Sequence, residues 1–357
     1  MVTQPLLYAA ALPNEIVLTD TEYANDKPIM LPRFLTQKQV ATHTVDGNEK
    51  KYITVKLFGL IPIKKVLVDT LPFDTVLVGG MPIGIKGEID GVIVTEDYDD
   101  IKCGDIIVEV NGNEVHSEND FIAQTKNKNN VTVRIERKNK NITRKVDNPA
   151  NLAVRETTTG VGILTLVNPE NNNFSALGHQ MGDFDTGVAV NLRGGSVKAV
   201  NTFGLEKTVG RKTGIIKSGL KSSAPTQGSI IRGNKFGVHG CLEANSEILQ
   251  QCKTTMPIAT RYNVRAGKAT VLTSLDGKTV EEFECEILKT RFQSKRNDKS
   301  MIIRITDDGL LSRTGGILHG MSGSPILQNG HLVGALTHAT TSDNAKGYAV
   351  YIDFVAI

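Results

Sequence analysis

The sequence has no tryptophan, and aromatic residues make up only 5% of its 357 positions. It lacks the interleaved rings on which single-stranded nucleic acid stacks. Its formal net charge of +3 is also far from that of a basic DNA-binding domain. No nucleic-acid partner is expected. No stretch approaches the roughly 18 apolar residues that cross a bilayer. The apolar run Leu6-Leu7-Tyr8-Ala9-Ala10-Ala11-Leu12 has no basic residue before it and reads as too weak for an intact signal peptide. Cysteine is scarce. Cys103, Cys241, Cys252 and Cys285 form no CxxC or other metal-ligand spacing, which argues against zinc. They read as free, mostly buried thiols. No metal or cofactor is expected.

What is present fits a globular protein of two or three domains, with 39% hydrophobic and 22% charged residues. The 34 glycines and many short apolar stretches point to a mainly β chain. Residues 1–70 read as a β-rich region, with strands at Glu15–Thr19 and Tyr52–Phe58 and a turn at Asp46-Gly47-Asn48, and without a chemical motif. Residues 71–150 are more specific. "VGGMPIGIKGEIDGVIVTE" leads to a strand at Val92–Thr95. "CGDIIVEVNGNEV" then gives a strand, an Asn111-Gly112 turn and a second strand. In "SENDFIAQTKN", Ser117 is placed to cap a helix, Asp120 to sit in its first turn, and Phe121 and Ile122 to form its apolar side. "VTVRIERKNKNITRKV" makes a hairpin about Lys138-Asn139-Lys140-Asn141, and its basic residues read as solvated. The order resembles a bacterial PDZ domain, whose carboxylate-binding loop Pro82-Ile83-Gly84-Ile85 would supply. Backbone N–H groups there would cradle a peptide's terminal carboxylate while the peptide adds a strand. Asn148-Pro149-Ala150 marks a joint. Residues 151–357 are again strand-rich and point to a β-barrel or sandwich.

The chemistry concentrates in "GMSGSP", Gly320–Pro325. A serine hydroxyl needs a base within hydrogen-bond reach and donors for the oxyanion. The α/β-hydrolase elbow requires a helix after its serine. Here a strand, a turn at Gln328-Asn329-Gly330 and a second strand follow, which fits the trypsin-like (chymotrypsin-type) turn instead. That pattern makes Ser322 the nucleophile, puts Ser324 at a variable position, and offers the N–H groups of Gly320 and Ser322 as an oxyanion hole. Seven histidines are candidates for the base. His319 and His338 are near Ser322 in sequence, but nearness along the chain does not align a ring. His179, in "FSALGHQMGDFD", follows a strand; a structural role there is as good a reading as a catalytic one. Asp183, Asp185, Asp307 and Asp308 all remain open as the third partner.

"GVGILTLVNPENNNFSALGHQMGDFDTG", "IIRITDDGLLSRTGGILHGMSGSPILQNGHLVGALTHA" and "KGYAVYI" together resemble the SpoIVB (stage IV sporulation protein B) peptidases, peptidase family S55. The resemblance covers about 71–357. It implies a PDZ domain at 71–150 and a serine peptidase domain at 151–357. It implies a catalytic set of His179, Asp307 and Ser322, although Asp307 stands only fifteen positions before the serine. It further implies an endopeptidase that crosses the forespore membrane into the space between two membranes. There such an enzyme is membrane-associated, cleaves a regulator restraining an intramembrane protease, and processes itself during endospore formation. A PDZ peptide ligand, from a partner or from the same chain, would accompany that activity. The alternative is an inactive or zymogen-like PDZ-containing binding scaffold.

Overall fold

The computed structural model describes residues 12–356 except 26–28, 30, 46–47, 139, 222, 292 and 294, and no side chain between 39 and 49. The run Leu6–Ala11, the Asp46-Gly47 pair and Asn139 of the Lys138–Asn141 turn lie outside the described residues.

Two closed barrels dominate the chain. The first is built from β1 (Pro82–Val94), β2 (Val154–Val167), β3 (Asn173–Ala176), β4 (Leu192–Lys198), β5 (Thr226–Asn234) and β6 (Gly237–Leu242). Their pairings form a ring in the order β1-β2-β3-β6-β5-β4, closed by β4 on β1. The second uses β7 (Gly267–Thr273), β8 (Glu281–Thr290), β9 (Met301–Ile305), β10 (Pro325–Gln328), β11 (His331–Ala339) and β12 (Lys346–Tyr351). Its ring is β7-β8-β9-β12-β11-β10, the same order as the first. Closure leaves neither barrel with an edge strand. Each encloses its own core: Ile83, Leu164, Phe174, Val197, Ile230 and Val238 in the first, and Val271, Ile287, Ile303, Ile326, Leu336 and Val350 in the second.

Glycine makes such tight rings possible. A Cβ on Gly195 of β4 would stand 2.3 Å from the carbonyl oxygen of Lys86 on β1. Much of the glycine content therefore serves strand approach as well as turns.

The segment read as a PDZ domain divides between two structures. Its first strand, β1, belongs to the first barrel along most of its length. The chain then runs through strands Ile106–Val110 and Asn113–Glu114, helix Glu118–Thr125, and strands Asn130–Arg137 and Lys140–Asp147. Val92, Ile107, Val110, Phe121, Val133 and Ile135 form a separate core there. Local expectations hold in this unit. Asn111 and Gly112 have φ of 49° and 84° in the hairpin turn. Ser117 Oγ accepts the Asp120 N–H at 3.1 Å. Ile122, by contrast, is exposed, while Phe121 alone of that pair is buried.

The four residues expected to form a carboxylate-binding loop are corrected by their pairing. Ile83, Gly84 and Ile85 face Gly162, Val161 and Gly160 on β2, and Gly84 and Ile85 face Lys198 and Val197 on β4. A strand bonded on both sides, with Ile83 and Ile85 wholly buried, has no open row of N–H groups for a peptide terminus. Pro82 begins this strand, where a missing N–H is tolerated.

The N-terminal region is a sheet of strands Glu15–Leu18, Ile61–Thr70, Asn48–Leu57 and Leu35–Val45, in that spatial order. It is fastened beside the second barrel. The Glu22 carboxylate accepts the Thr260 N–H at 2.9 Å and Asn263 Nδ2 at 2.7 Å.

Candidate active site

Ser322 and His179 come from different barrels and line one cleft of about 820 Å³, together with Leu177, Met181, His319 and Gly320. His179 is delivered by the turn leaving β3. Leu177 and Gly178 both take left-handed φ, 71° and 70°, swinging the chain toward the second barrel. A Cβ on Gly178 would lie 3.1–3.3 Å from Val350, Thr337 and Ala335.

The serine loop is tied to both barrels. Ser322 O accepts the Ile163 N–H of β2 at 2.8 Å, and Gly323 N–H donates to Leu336 O of β11 at 2.8 Å. Thr165 Oγ1 donates to Gly323 O at 2.8 Å. Gly323 has a φ of 96°, and a Cβ there would be 2.1 Å from Ile163 O, so only glycine fits. Ser324 is wholly buried and donates to Met321 O at 2.7 Å, holding the turn from within. Among the described residues no acceptor takes the N–H of Gly320 or of Ser322. Those donors remain available to an oxyanion.

The electrostatics suit a neutral imidazole. His179 Nδ1 faces the Gln180 carbonyl at 2.7 Å, a contact that requires the proton on Nδ1 and leaves Nε2 with its lone pair. Burial pushes the His179 pKa below its ordinary value, opposed by that hydrogen bond and by the charge of Asp298. Ser322 Oγ donates to Thr337 O at 2.9 Å. Thr337 Oγ1 donates in turn to Asp298 O at 3.0 Å. Beside it, the His338 ring packs on His179 with centroids 4.8 Å apart. Burial, then the charge of His179, pushes the His338 pKa down to about 4.

The structure does not join Asp307 to His179 by a hydrogen bond. Asp307 instead caps helix Asp308–Thr314: Oδ1 accepts the Leu310 N–H at 2.8 Å, and Oδ2 accepts the Glu284 N–H at 3.3 Å. Asp308 is exposed in the first turn of that helix. Asp183 and Asp185 both bind Arg155 Nη2, at 2.9 and 2.7 Å. The carboxylate whose charge reaches both His179 and His338 is Asp298, between β8 and β9. Sequence reading had no signal for it, because nothing local marks Asp298 as different from a solvated loop aspartate.

Sequence reading also missed a wall of the cleft. Strands Val200–Glu206 and Ile215–Leu220 form a hairpin inserted between β4 and β5. Ile216 N–H donates to His319 O at 2.9 Å, and His319 N–H to Gly214 O at 2.8 Å. The residue before Gly320 is thereby clamped on both its polar groups. His319, whose role the sequence left open, supplies backbone to this clamp and lines the cleft. Lys86 and Lys198 also line it.

A second Ser–His contact lies elsewhere. Ser175 Oγ is 2.9 Å from His239 Nδ1 and donates to Val355 O at 2.9 Å. Both residues are buried, so this pair has no access to a substrate.

The four cysteines are free; Cys252 and Cys285 are buried, and burial raises their thiols to about 11 and about 12. Such thiols are inert at neutral pH.

Among solved structures, the chain is similar to the Rv3671c protease from M. tuberculosis in its active form. Identity is 12%, coverage is 56% of this chain and 72% of that one, and the TM-score is 0.33. No curated protein matches the chain. The family model described as SpoIVB peptidase S55 matches residues 149–355, from the joint before β2 to the last helix and across both candidate blocks, "ALGH" and "GMSGSP". The chain is therefore a peptidase, and it belongs to the SpoIVB peptidase S55 family.

Proposed function

We propose that this serine peptidase is an endopeptidase in which Ser322 is the nucleophile and His179 the general base. The observation that carries the reading is that Ser322, His179 and Gly320, brought from two barrels, line one cleft, with no acceptor among the described residues for the N–H of Gly320 or Ser322. A substrate N–H taking the Thr337 carbonyl would release the Ser322 hydroxyl that now donates to it. Rotated to His179 Nε2, the hydroxyl loses its proton as it attacks the scissile carbonyl, and the imidazolium returns that proton to the leaving amine. Gly320 and Ser322 N–H groups receive the oxyanion, each such donor being worth about two to three powers of ten in rate. The Gln180 carbonyl does for the imidazole tautomer what a carboxylate does in a triad.

Family membership supports a role in endospore formation, for which the proposed substrates are a membrane-associated regulator and the chain itself. The unit around Phe121 and Ile135 is proposed to bind peptides as PDZ domains do, through a surface other than Pro82–Ile85. The inactive-scaffold reading draws on one observation, the Ser322 hydroxyl turned toward Thr337 rather than His179.

Labelling with a fluorophosphonate decides between the two readings. The wild type and Ser324→Ala should label, while Ser322→Ala should not. Labelling that persists in Ser322→Ala, or that never occurs in the wild type, would overturn the assignment. Mapping cleavage products of wild type against Ser322→Ala by mass spectrometry tests self-processing at the same time.

A further inference from the structure

The peptidase mechanism leaves one apolar feature of the N-terminal sheet unused. Phe58, Leu60 and Ile61 are 67%, 82% and 58% exposed. They surround Gly59 in the turn that joins strands Asn48–Leu57 and Ile61–Thr70. Scattered exposed apolar residues are ordinary; three at one turn are a patch. The turn is firmly built. Phe58 N–H donates to Phe34 O at 2.9 Å and Leu60 N–H to Leu57 O at 3.0 Å. Phe58 has a φ of 50° and Gly59 of 76°, a backbone that Asn-Gly makes at less cost than Phe-Gly. The backbone therefore favours asparagine where the sequence places Phe58.

The charge around this tip has one sign. Residues 54–65, "TVKLFGLIPIKK", which make the turn and the strand ends beside it, hold three lysines and no acidic residue. Lys64 binds the Leu12 carbonyl. Lys65 is exposed, and so are Arg33 and Lys38 on the neighbouring segment. A second copy of the chain would set these cations against themselves. It would also bury a three-residue knob, far less than the roughly 800 Å² per partner of a stable interface. An anionic surface with an apolar layer beneath it meets both the charge and the hydrophobicity.

We propose that the Phe58–Ile61 tip inserts into the interfacial layer of a bilayer rich in anionic headgroups, with the surrounding lysines meeting the phosphates. Aromatic and aliphatic side chains gain by entering that layer, and each lysine near the surface adds about five-fold to partitioning. Among the described residues no helix is long and apolar enough to cross a membrane. A shallow insertion of this kind would hold the tip at the surface, reversibly.

The test is co-sedimentation of the full chain, in a Ser322→Ala background, with vesicles of phosphatidylcholine alone or mixed with phosphatidylglycerol. Wild-type sequence at the tip should bind the mixed vesicles and be released by salt. Leu60→Asp changes a side chain that is 82% exposed, and should weaken binding by about ten-fold or more. Lys65→Glu should weaken it by at least about five-fold. In the Ser322-containing enzyme neither change should alter cleavage of a soluble substrate. Equal binding of Leu60→Asp and wild type would overturn the proposal, as would absence of binding to the mixed vesicles. A concentration-dependent dimer that Leu60→Asp abolishes, without vesicle binding, would assign the tip to self-association instead.

Discussion

The imidazoles of His179 and His338 stand 4.8 Å apart, tilted by 38°, one carried by each barrel. Two rings so close cannot both be protonated cheaply, and both pKa values are pushed below 6.5, chiefly by burial. A general base works in its neutral form. The acid limb of kcat/KM should therefore lie below pH 6.5, and it reports His179. Asp298 carries the negative charge that opposes this shift. Asp298→Asn should move the acid limb to still lower pH, and Asp307→Asn should leave it in place. A pH–rate profile in which Asp307→Asn moves the limb and Asp298→Asn does not would return Asp307 to the site.

Asp307 should instead reveal itself in stability. Its side chain caps helix Asp308–Thr314 and also receives the Glu284 N–H. Loss of an N-cap costs about 0.5–2 kcal/mol, so Asp307→Ala should lower Tm by several degrees. Rate per folded molecule should stay within a few-fold of wild type. A triad aspartate would behave otherwise, since its loss drops kcat by about four powers of ten with the fold intact.

How much of this could be read in the sequence depends on the range of each signal. The Asn111-Gly112 turn, the Ser117 cap and the strand-turn-strand after Pro325 are local, and all three appear in the structure. Pro82–Ile85 reads locally as a ligand loop because Φ-G-Φ flanked by glycines is ambiguous. Only the pairing with β2 and β4, more than seventy residues away, makes it a barrel strand. The hairpin beside His319 escaped notice for a related reason. "AVNTFGLE" and "GIIKSGL" alternate weakly, and half their side chains face a cleft or solvent rather than a core. That the charge of Asp298 reaches His179 is a matter of tertiary placement alone.

Gly323 offers a test of how firmly the serine loop is anchored. A methyl group there would meet Ile163 O at 2.1 Å and Leu177 N at 2.6 Å, on a backbone with φ of 96°. Neither neighbour is a movable side chain. Gly323→Ala should cost several kcal/mol or prevent folding, since strain of this kind has no cheap relief. Gly330, with φ of 75° and nothing within 4 Å, provides the control. Gly330→Ala should cost only about 1 kcal/mol. Comparable urea midpoints for the two variants would show that the loop shifts freely, contrary to its double attachment.

The buried His239 should govern stability in acid. Its Nε2 has no partner among the described residues, and burial, then Arg232 and Arg296, push its pKa from 6.5 to about 4. The folded protein therefore binds fewer protons than the unfolded chain between those values. Stability should be fully present above about pH 6.5 and fall as the pH drops toward 4, by up to about 3 kcal/mol from this residue. His338 adds a change of the same sign. His239→Asn keeps a donor for Ser175 Oγ but removes the titration. Its urea midpoint should be lower than wild type at pH 7 and vary less between pH 6.5 and 4. If the variant lost stability over that interval as steeply as wild type, the acid sensitivity would have to arise from other groups.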